Sequence, residues 1–342
     1  MDAARLMERF LRYVRCGSES GNERDFCLLI EEEFRRLGID FLRDVVGEAV
    51  GSNGWNLIAS IPGEGEAILF SCHMDTVTPG QGILPILENG VIRSAGDTIL
   101  GADDKSGIAA VLEALECIFE EGVSHRPVEL LFSLCEERGL LGSRHADYSR
   151  FKSKEALVLD TGEIGRVINR APAIAHLHIR VHGKASHAGV EPKKGVHALK
   201  AAAEAIANIT CGQPDDMSVM NVANFVSEGA TNIVPDLATF DMEIRSFTEE
   251  LLQKHIREAE SALQKACRTY GATYELALTR HSDPLYVAED GPLLTKVREL
   301  YAAMGVQVRV EGTFGGCDAT WLNAHGIAAL NTGTGMQQAH SV

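Results

Sequence analysis

Residues 67–75 read AILFSCHMD, an apolar run that closes on a histidine and an aspartate. Two other runs end the same way: 128–137, VELLFSLCEE, closes on Glu136-Glu137, and 156–160, ALVLD, closes on Asp160. The spans Ala67–Cys72, Val128–Cys135 and Ala156–Leu159 are nearly continuous in hydrophobicity and bounded by turn residues, as strands covered on both faces by helices are. Between the first two, Ile108, Val111, Leu112, Leu115, Ile118 and Phe119 recur at helical spacing. Strand, helix, strand predicts an α/β layered domain with a mostly parallel sheet. In open sheets of that kind ligands sit outside the carboxyl ends of the strands, which is the edge where all three runs deliver imidazole or carboxylate. A fourth acidic cluster, Gly101-Ala102-Asp103-Asp104-Lys105, lies where the intervening helix begins and reaches the same edge. Imidazole nitrogen with carboxylate oxygen is the ligand set of a divalent ion, zinc favoured, and two such ions about 3.5–4 Å apart would share a bridging carboxylate.

Working outward, residues 3–15 and 23–37 read as amphipathic helices, the second stopped by Gly38. From about Ala173 the texture changes. Leu177, Ile179 and Val181 alternate with His176, His178, Arg180 and His182, the period of a strand with one wet face. A helical stretch at 195–209, strands at 218–226 and 237–244, a long helix at 248–270 and a strand at 272–279 complete the order β-α-β-β-α-β of a ferredoxin-like α+β sandwich. After Pro284 the α/β texture returns, with a helix near 292–304 and strands at 307–310 and 328–331. The expected organisation is therefore a metal-binding catalytic domain of residues 1–172 and 284–342, interrupted by an inserted domain of residues 173–283.

Length and composition bound the alternatives. Two domains fit 342 residues, and 45% hydrophobic with 23% charged residues is globular composition. The 48 acidic residues outnumber the 32 basic ones to give a net charge of −16, with no basic stripe, which excludes nucleic acid and anionic membrane as natural partners. The N-terminal MDAARLMERFLRYVR lacks the apolar core of a signal peptide, and no run approaches the ~18 apolar residues of a membrane span. A cytoplasmic location is expected, with the eight cysteines, none in a C-x-x-C pair, reduced and mostly in the core. A dinucleotide site would need G-x-G-x-x-G between strand and helix, and Gly63-Glu64-Gly65 precedes a strand instead.

In order and spacing, His73-Met74-Asp75-Thr76-Val77, Gly101-Ala102-Asp103-Asp104-Lys105-Ser106-Gly107, Cys135-Glu136-Glu137, Leu159-Asp160 and His340 resemble the co-catalytic dizinc family of peptidase T, carboxypeptidase G and the aminoacylases. The likeness runs over essentially the whole chain. It implies a zinc-exopeptidase fold with an inserted ferredoxin-like dimerisation or lid domain, a homodimer, and two Zn2+ ions, replaceable by Co2+ or Mn2+. It places His73 and Asp160 on one metal, Glu137 and His340 on the other, and Asp103 between them. Asp75 would fix the ring of His73, and Glu136 would be the general base that moves a proton from a water bridging the two zinc ions to the leaving amine. Gly183-Lys184-Ala185-Ser186-His187-Ala188-Gly189 is similar to the family segment whose histidine polarises the scissile carbonyl, often across the dimer, so His187 is the candidate for that role. Asn232, Arg245, Gly315, Gly316 and Asp318 match positions that grip substrate or line its pocket.

Each assignment has a plainer competitor. Glu136-Glu137 also reads as a solvated pair at a helix start, Arg245 as the partner of an acidic neighbour, and Glu163 as a substitute for Asp160, while Asp103 is preferred to Asp104 by motif alignment alone. Asp160, where the acylase side of the family more often has Glu, resembles the peptidase T side, which cuts di- and tripeptides with a free amino end. An N-acyl-amino-acid amidohydrolase or carboxypeptidase of the same family is the second reading. A non-catalytic metal- or peptide-binding protein is the third, opposed by the presence of Glu136. The resembled family continues past the position of His340 with a further helix, so His340, two residues from Val342, is expected on a fraying end.

Overall fold

The computed structural model describes residues 1–342. Asp2 starts the first helix, α1 (Ala3–Arg15), by accepting from the amides of Ala4 and Arg5. Helix α2 (Arg24–Leu37) ends where Gly38 turns left-handed at φ 69°, so its amide can reach back to Arg35 and Phe34. The chain continues through β1 (Phe41–Asp44), α3 (Gly47–Val50), β2 (Asn56–Ile61) and β3 (Ile68–His73). A hairpin of β4 (Pro85–Glu88) and β5 (Val91–Ser94) precedes α4 (Ala102–Glu121), followed by β6 (Val128–Ser133), α5 (Leu141–Arg144), β7 (Glu155–Thr161) and β8 (Arg166–Ala171). Next come β9 (Ala173–His182), α6 (Ala198–Ala207), β10 (Gly212–Asp215), β11 (Ser218–Val226), β12 (Leu237–Ser246), α7 (Glu249–Tyr270) and β13 (Thr273–Ser282). The last part holds β14 (Leu285–Tyr286), α8 (Pro292–Ala303), β15 (Arg309–Gly312), α9 (Ala319–Ala324) and β16 (Ala328–Gly333).

Two compact units result, Met1–Arg170 with Tyr286–Val342, and Ala171–Leu285. The first is built on a sheet in the order β1-β2-β6-β3-β7-β16-β8-β14, with β15 added beside β8. Its centre is parallel: β3 pairs with β6 and β7, and β7 with β16. The core includes Phe26, Phe34, Leu57, Ile108, Leu112 and Phe132, with the rings of Phe34 and Phe132 stacked at 5.7 Å. In the second unit the order is β10-β11-β12-β9-β13, and all four pairings are antiparallel. Leu177, Ile179 and Val181 face its core with Phe240, Met242, Ile244 and the apolar faces of α6 and α7, while His176, His178 and Arg180 are exposed. No helix of the chain is long and apolar enough to cross a membrane.

The second apolar run stops short of its expected end. β6 closes at Ser133, because Cys135 takes φ 47° and the chain turns back, with Leu134 and Cys135 receiving the amides of Gly142 and Leu141. The β4–β5 hairpin is exposed and short, so no apolar run announces it. Its signal is the Asn89-Gly90 turn, both residues at positive φ.

Candidate metal centre

Strand order brings the candidate ligands together. Because β3 lies between β6 and β7 and runs parallel to both, residues leaving the carboxyl ends of the three strands are lateral neighbours. His73 ends β3, Glu136 and Glu137 follow β6, and Asp160 is the penultimate residue of β7. Asp103 arrives from the start of α4, where Asp103 and Asp104 depart from helical dihedrals and the peptide between them is cis. His340 arrives from the segment after β16.

Asp103 stands between two imidazoles, its Oδ1 2.9 Å from His73 Nε2 and its Oδ2 3.4 Å from His340 Nε2. Asp160 Oδ1 is 3.7 Å from His73 Nε2, and Glu137 Oε1 is 2.8 Å from His340 Nε2. Two triads, His73-Asp103-Asp160 and Asp103-Glu137-His340, therefore share Asp103, each with its ligand atoms within 4.8 Å of one another; His73, Glu136 and Glu137 form a third such group. Asp104 turns elsewhere, with Oδ1 accepting the Gly107 amide at 3.2 Å, and the exposed Glu163 is engaged by Arg309 at 2.6 Å.

Donor set and charge both fit a pair of divalent cations. Nitrogen and oxygen donors of this mix suit zinc, and one carboxylate offers an oxygen to each side. Burial, and then the Asp160 carboxylate, push the Glu136 carboxyl well above its usual range; burial, and then Asp103, lift Asp160 to about 8; burial also raises Glu137. Asp103 goes the other way, because hydrogen bonds from His340 and His73 outweigh its burial. Carboxylates gathered this closely disfavour one another's ionised form, and a cation among them removes that penalty.

Asp75 meets the His73 ring and the acidic loop together. His73 Nδ1 donates to the backbone carbonyl of Asp75 at 2.9 Å, and the Asp75 carboxylate is 3.4 Å from that nitrogen. The fully buried carboxylate also accepts the amides of Glu136 at 2.9 Å and Glu137 at 3.2 Å, and the Ser20 hydroxyl at 2.6 Å. One residue thus orients the ring through its carbonyl and its carboxylate, and the acidic loop through the same carboxylate. Asn331 on β16 pins Asp160 from the neighbouring strand, accepting its amide at 3.0 Å and donating to its carbonyl at 2.8 Å. The buried Lys105 ties the Asp103 segment to the end of α1, its Nζ 2.7 Å from the Cys16 carbonyl and 4.6 Å from the Phe26 ring centre. Nothing in the sequence around Asn331 or Lys105 signals these partners, which lie far along the chain.

Asp318 departs from its expected place in a pocket lining. Its side chain is buried, with one oxygen hydrogen-bonded to Ser133 and the other 2.5 Å from Ser143 Oγ, so both are turned into the protein. Gly315 and Gly316 beside it are exposed.

The inserted unit presents its own cluster. His187 is exposed, and its Nδ1 accepts the amides of Gly189 and Val190, each at 3.1 Å, which leaves the proton on Nε2. The segment pairs with residues 232–234: Ala188 donates to Asn232 O and Val234 to Ser186 O, so Asn232 and His187 are held together. Arg245 lies beside Glu243 on the same strand, its Nε 2.7 Å from Glu243 Oε1.

A profile described as "Peptidase family M20/M25/M40" matches residues 69–342. The uncharacterized protein YqjE of Bacillus subtilis (strain 168) is 34% identical over 341 residues, 98% of this chain and 92% of that one. Among solved structures, aminopeptidase PepT from Bacillus cereus ATCC 10987 superposes with a TM-score of 0.95 at 30% identity, covering 100% of this chain and 92% of its own. A tripeptidase from Staphylococcus aureus subsp. aureus Mu50 does so with a TM-score of 0.95 at 28% identity and the same coverage of both chains.

Proposed function

Because the chain belongs to peptidase family M20/M25/M40 and is a peptidase, we propose that it is a dizinc exopeptidase that removes residues from short peptides with a free amino end, tripeptides foremost. The observation that carries the metal assignment is Asp103 set between His73 and His340, with Asp160 and Glu137 as the outer carboxylates. The likeness to an aminopeptidase and a tripeptidase supports the substrate class.

Two cations held there, zinc or in its place cobalt or manganese, supply a water activated at neutral pH and a Lewis acid for the scissile carbonyl. Glu136 accepts the proton of the attacking water and returns it to the departing amine, so one carboxylate serves both halves of the reaction. Asp75, on the amides of Glu136 and Glu137, keeps base and ligand in fixed relation. His187, with its proton on Nε2, donates a hydrogen bond to the carbonyl oxygen as negative charge develops there. In this reading the chain is a cytoplasmic homodimer joined through the inserted unit, His187 serves the partner's site, Asn232 donates to substrate, and Arg245, beside Glu243, faces a substrate carboxylate.

The deciding experiment compares a free tripeptide with its N-acetylated form, before and after chelation and after zinc is restored. Cleavage of the free peptide that disappears with chelator and returns with zinc is expected. Preference for the acetylated form would make the protein an amidohydrolase, and undiminished turnover in metal-free protein would overturn the metal assignment.

A further inference from the structure

The loop that carries Glu136 and Glu137 leaves β6 after Ser133 and re-enters regular structure at α5, which contains Ser143. Its neck is narrow: the Gly142 amide donates to Leu134 O at 2.9 Å and the Leu141 amide to Cys135 O at 3.1 Å. Three buried carboxylates from three distant parts of the chain hold it. Asp75 takes the amides of Glu136 and Glu137. Glu23 takes the amide and the thiol of Cys135, at 3.3 and 3.1 Å. Asp318 takes the hydroxyls of Ser133 and Ser143, the residues immediately outside the loop at either end.

Asp318 is 1% exposed and both serines are fully buried, so this contact is shielded from solvent and from anything in the cleft. A carboxylate is expensive to bury unless its lone pairs are filled, and here the two hydroxyls that fill them are the two ends of one loop. The segment leading to Asp318 lies against the same loop, since a side chain at Gly316 would come within 3.3 Å of Leu140.

We propose that Asp318 is a positioning residue: it clasps the two ends of the 134–142 loop and thereby sets where Glu136 and Glu137 stand, without touching substrate. The inference rests on the reading of Glu136 as the general base. It assigns to the glycine-rich 315–318 segment a job in holding the acidic loop rather than in binding peptide.

Three variants test it: Asp318→Ala, Asp318→Asn and Ser143→Ala. Asp318→Ala is expected to lower kcat by ~10–10²-fold, the scale of a small misplacement of a catalytic group, with KM within about 2-fold of wild type. Amide hydrogen exchange across residues 134–142, measured in metal-free protein, should quicken, while that of residues 171–285 stays unchanged. Asp318→Asn should recover most of both, because its amide can donate to Ser133 Oγ, which can donate onward to Cys72 O, 3.4 Å away. Ser143→Ala removes one arm of the clasp with little change of volume and decides the matter if Asp318→Ala does not fold; intermediate exchange and kcat are expected. A rise in KM alone, with loop exchange as in wild type, would return Asp318 to a substrate role and overturn the proposal. Wild-type exchange and kcat in all folded variants would overturn it too. Absence of peptidase activity in the wild type would sink the base assignment instead, and the exchange data would still decide whether Asp318 holds the loop.

Discussion

Glu136 and Glu137 are neighbours with different surroundings, and that difference gives a sharp test. Glu137 meets His340 at 2.8 Å, so Glu137→Gln should weaken metal retention on the His340 side. Glu136→Gln keeps the shape but cannot accept a proton, so metal content measured on the purified variant should match wild type while kcat falls ~10²–10⁴-fold. Wild-type kcat in Glu136→Gln with metal bound would show another base. Asp103→Ala removes the carboxylate shared by both triads and should lower the content of both metals, whereas His73→Ala should lower one first. Residues of this kind were legible in sequence because each stands at the end of an apolar run or the start of a helix. Asn331 was not, and Asp318 was legible only as a match to a pocket position and not by its contacts, because what defines both is a partner on the order of a hundred residues or more away: Asp318 meets Ser133 and Ser143, and Asn331 meets Asp160.

Between elements, helix α1 is bound to helix α4 through charge. Arg5 Nε and Arg9 Nη1 reach the buried Glu113 carboxylate at 2.8 and 2.9 Å, and Arg36 from α2 reaches Glu116 at 2.6 Å. Burial alone would raise Glu113, but the hydrogen bonds from Arg5, the Asp2 amide and Cys117 together with the Arg5 charge outweigh it and hold the carboxyl down at about 2; for Glu116 the hydrogen bond from Arg36 is the largest influence and exceeds burial, to the same effect. Both carboxyls sit below their ordinary value of 4.5, so their contribution to stability is complete above that pH and is lost as the pH falls toward about 2. Urea midpoints measured across that window should fall more steeply for wild type than for Glu113→Gln, and equal slopes would refute the linkage. At the loop neck, a Cβ at Gly142 would lie 2.3 Å from Leu134 O, a backbone atom that cannot step aside. Gly142→Ala should therefore destabilise by about 1–3 kcal/mol, the typical penalty of overpacking, read as a lower Tm. The long helices and the strands β3, β6, β7, β9 and β11–β13 were readable, since their periods of 3.6 and 2 or their unbroken apolar runs survive in the sequence, whereas β2 and β8, though largely buried, were not, and neither were the short helices α3, α5 and α9. β1, β10 and the β4–β5 hairpin are short and partly exposed, so burial leaves no such imprint on them.

For the whole molecule, the proposed division of labour between the inserted unit and the metal centre can be tested by complementation. His187→Ala should lower kcat by ~10²–10³-fold, the typical loss of one oxyanion donor, and leave metal content intact. Mixed with Glu136→Gln under subunit exchange, it should regain activity in heterodimers, where one site of the two unites an intact Glu136 with an intact His187. Verified heterodimers without activity would confine His187 to its own subunit or to no catalytic part.

The placement of β16 carries a consequence for how the chain is made on the ribosome. β7, residues 155–161, pairs on one side with β3 and on the other with β16, which begins only at residue 328. All of residues 171–285, whose sheet is complete within itself, emerges in between. During that interval the nascent sheet ends on the apolar edge EALVLDT, an open template for pairing with a neighbouring polypeptide. Pairing at that edge is the expected route of aggregation during synthesis, and a holdase that shields it during translation should raise the yield of native protein.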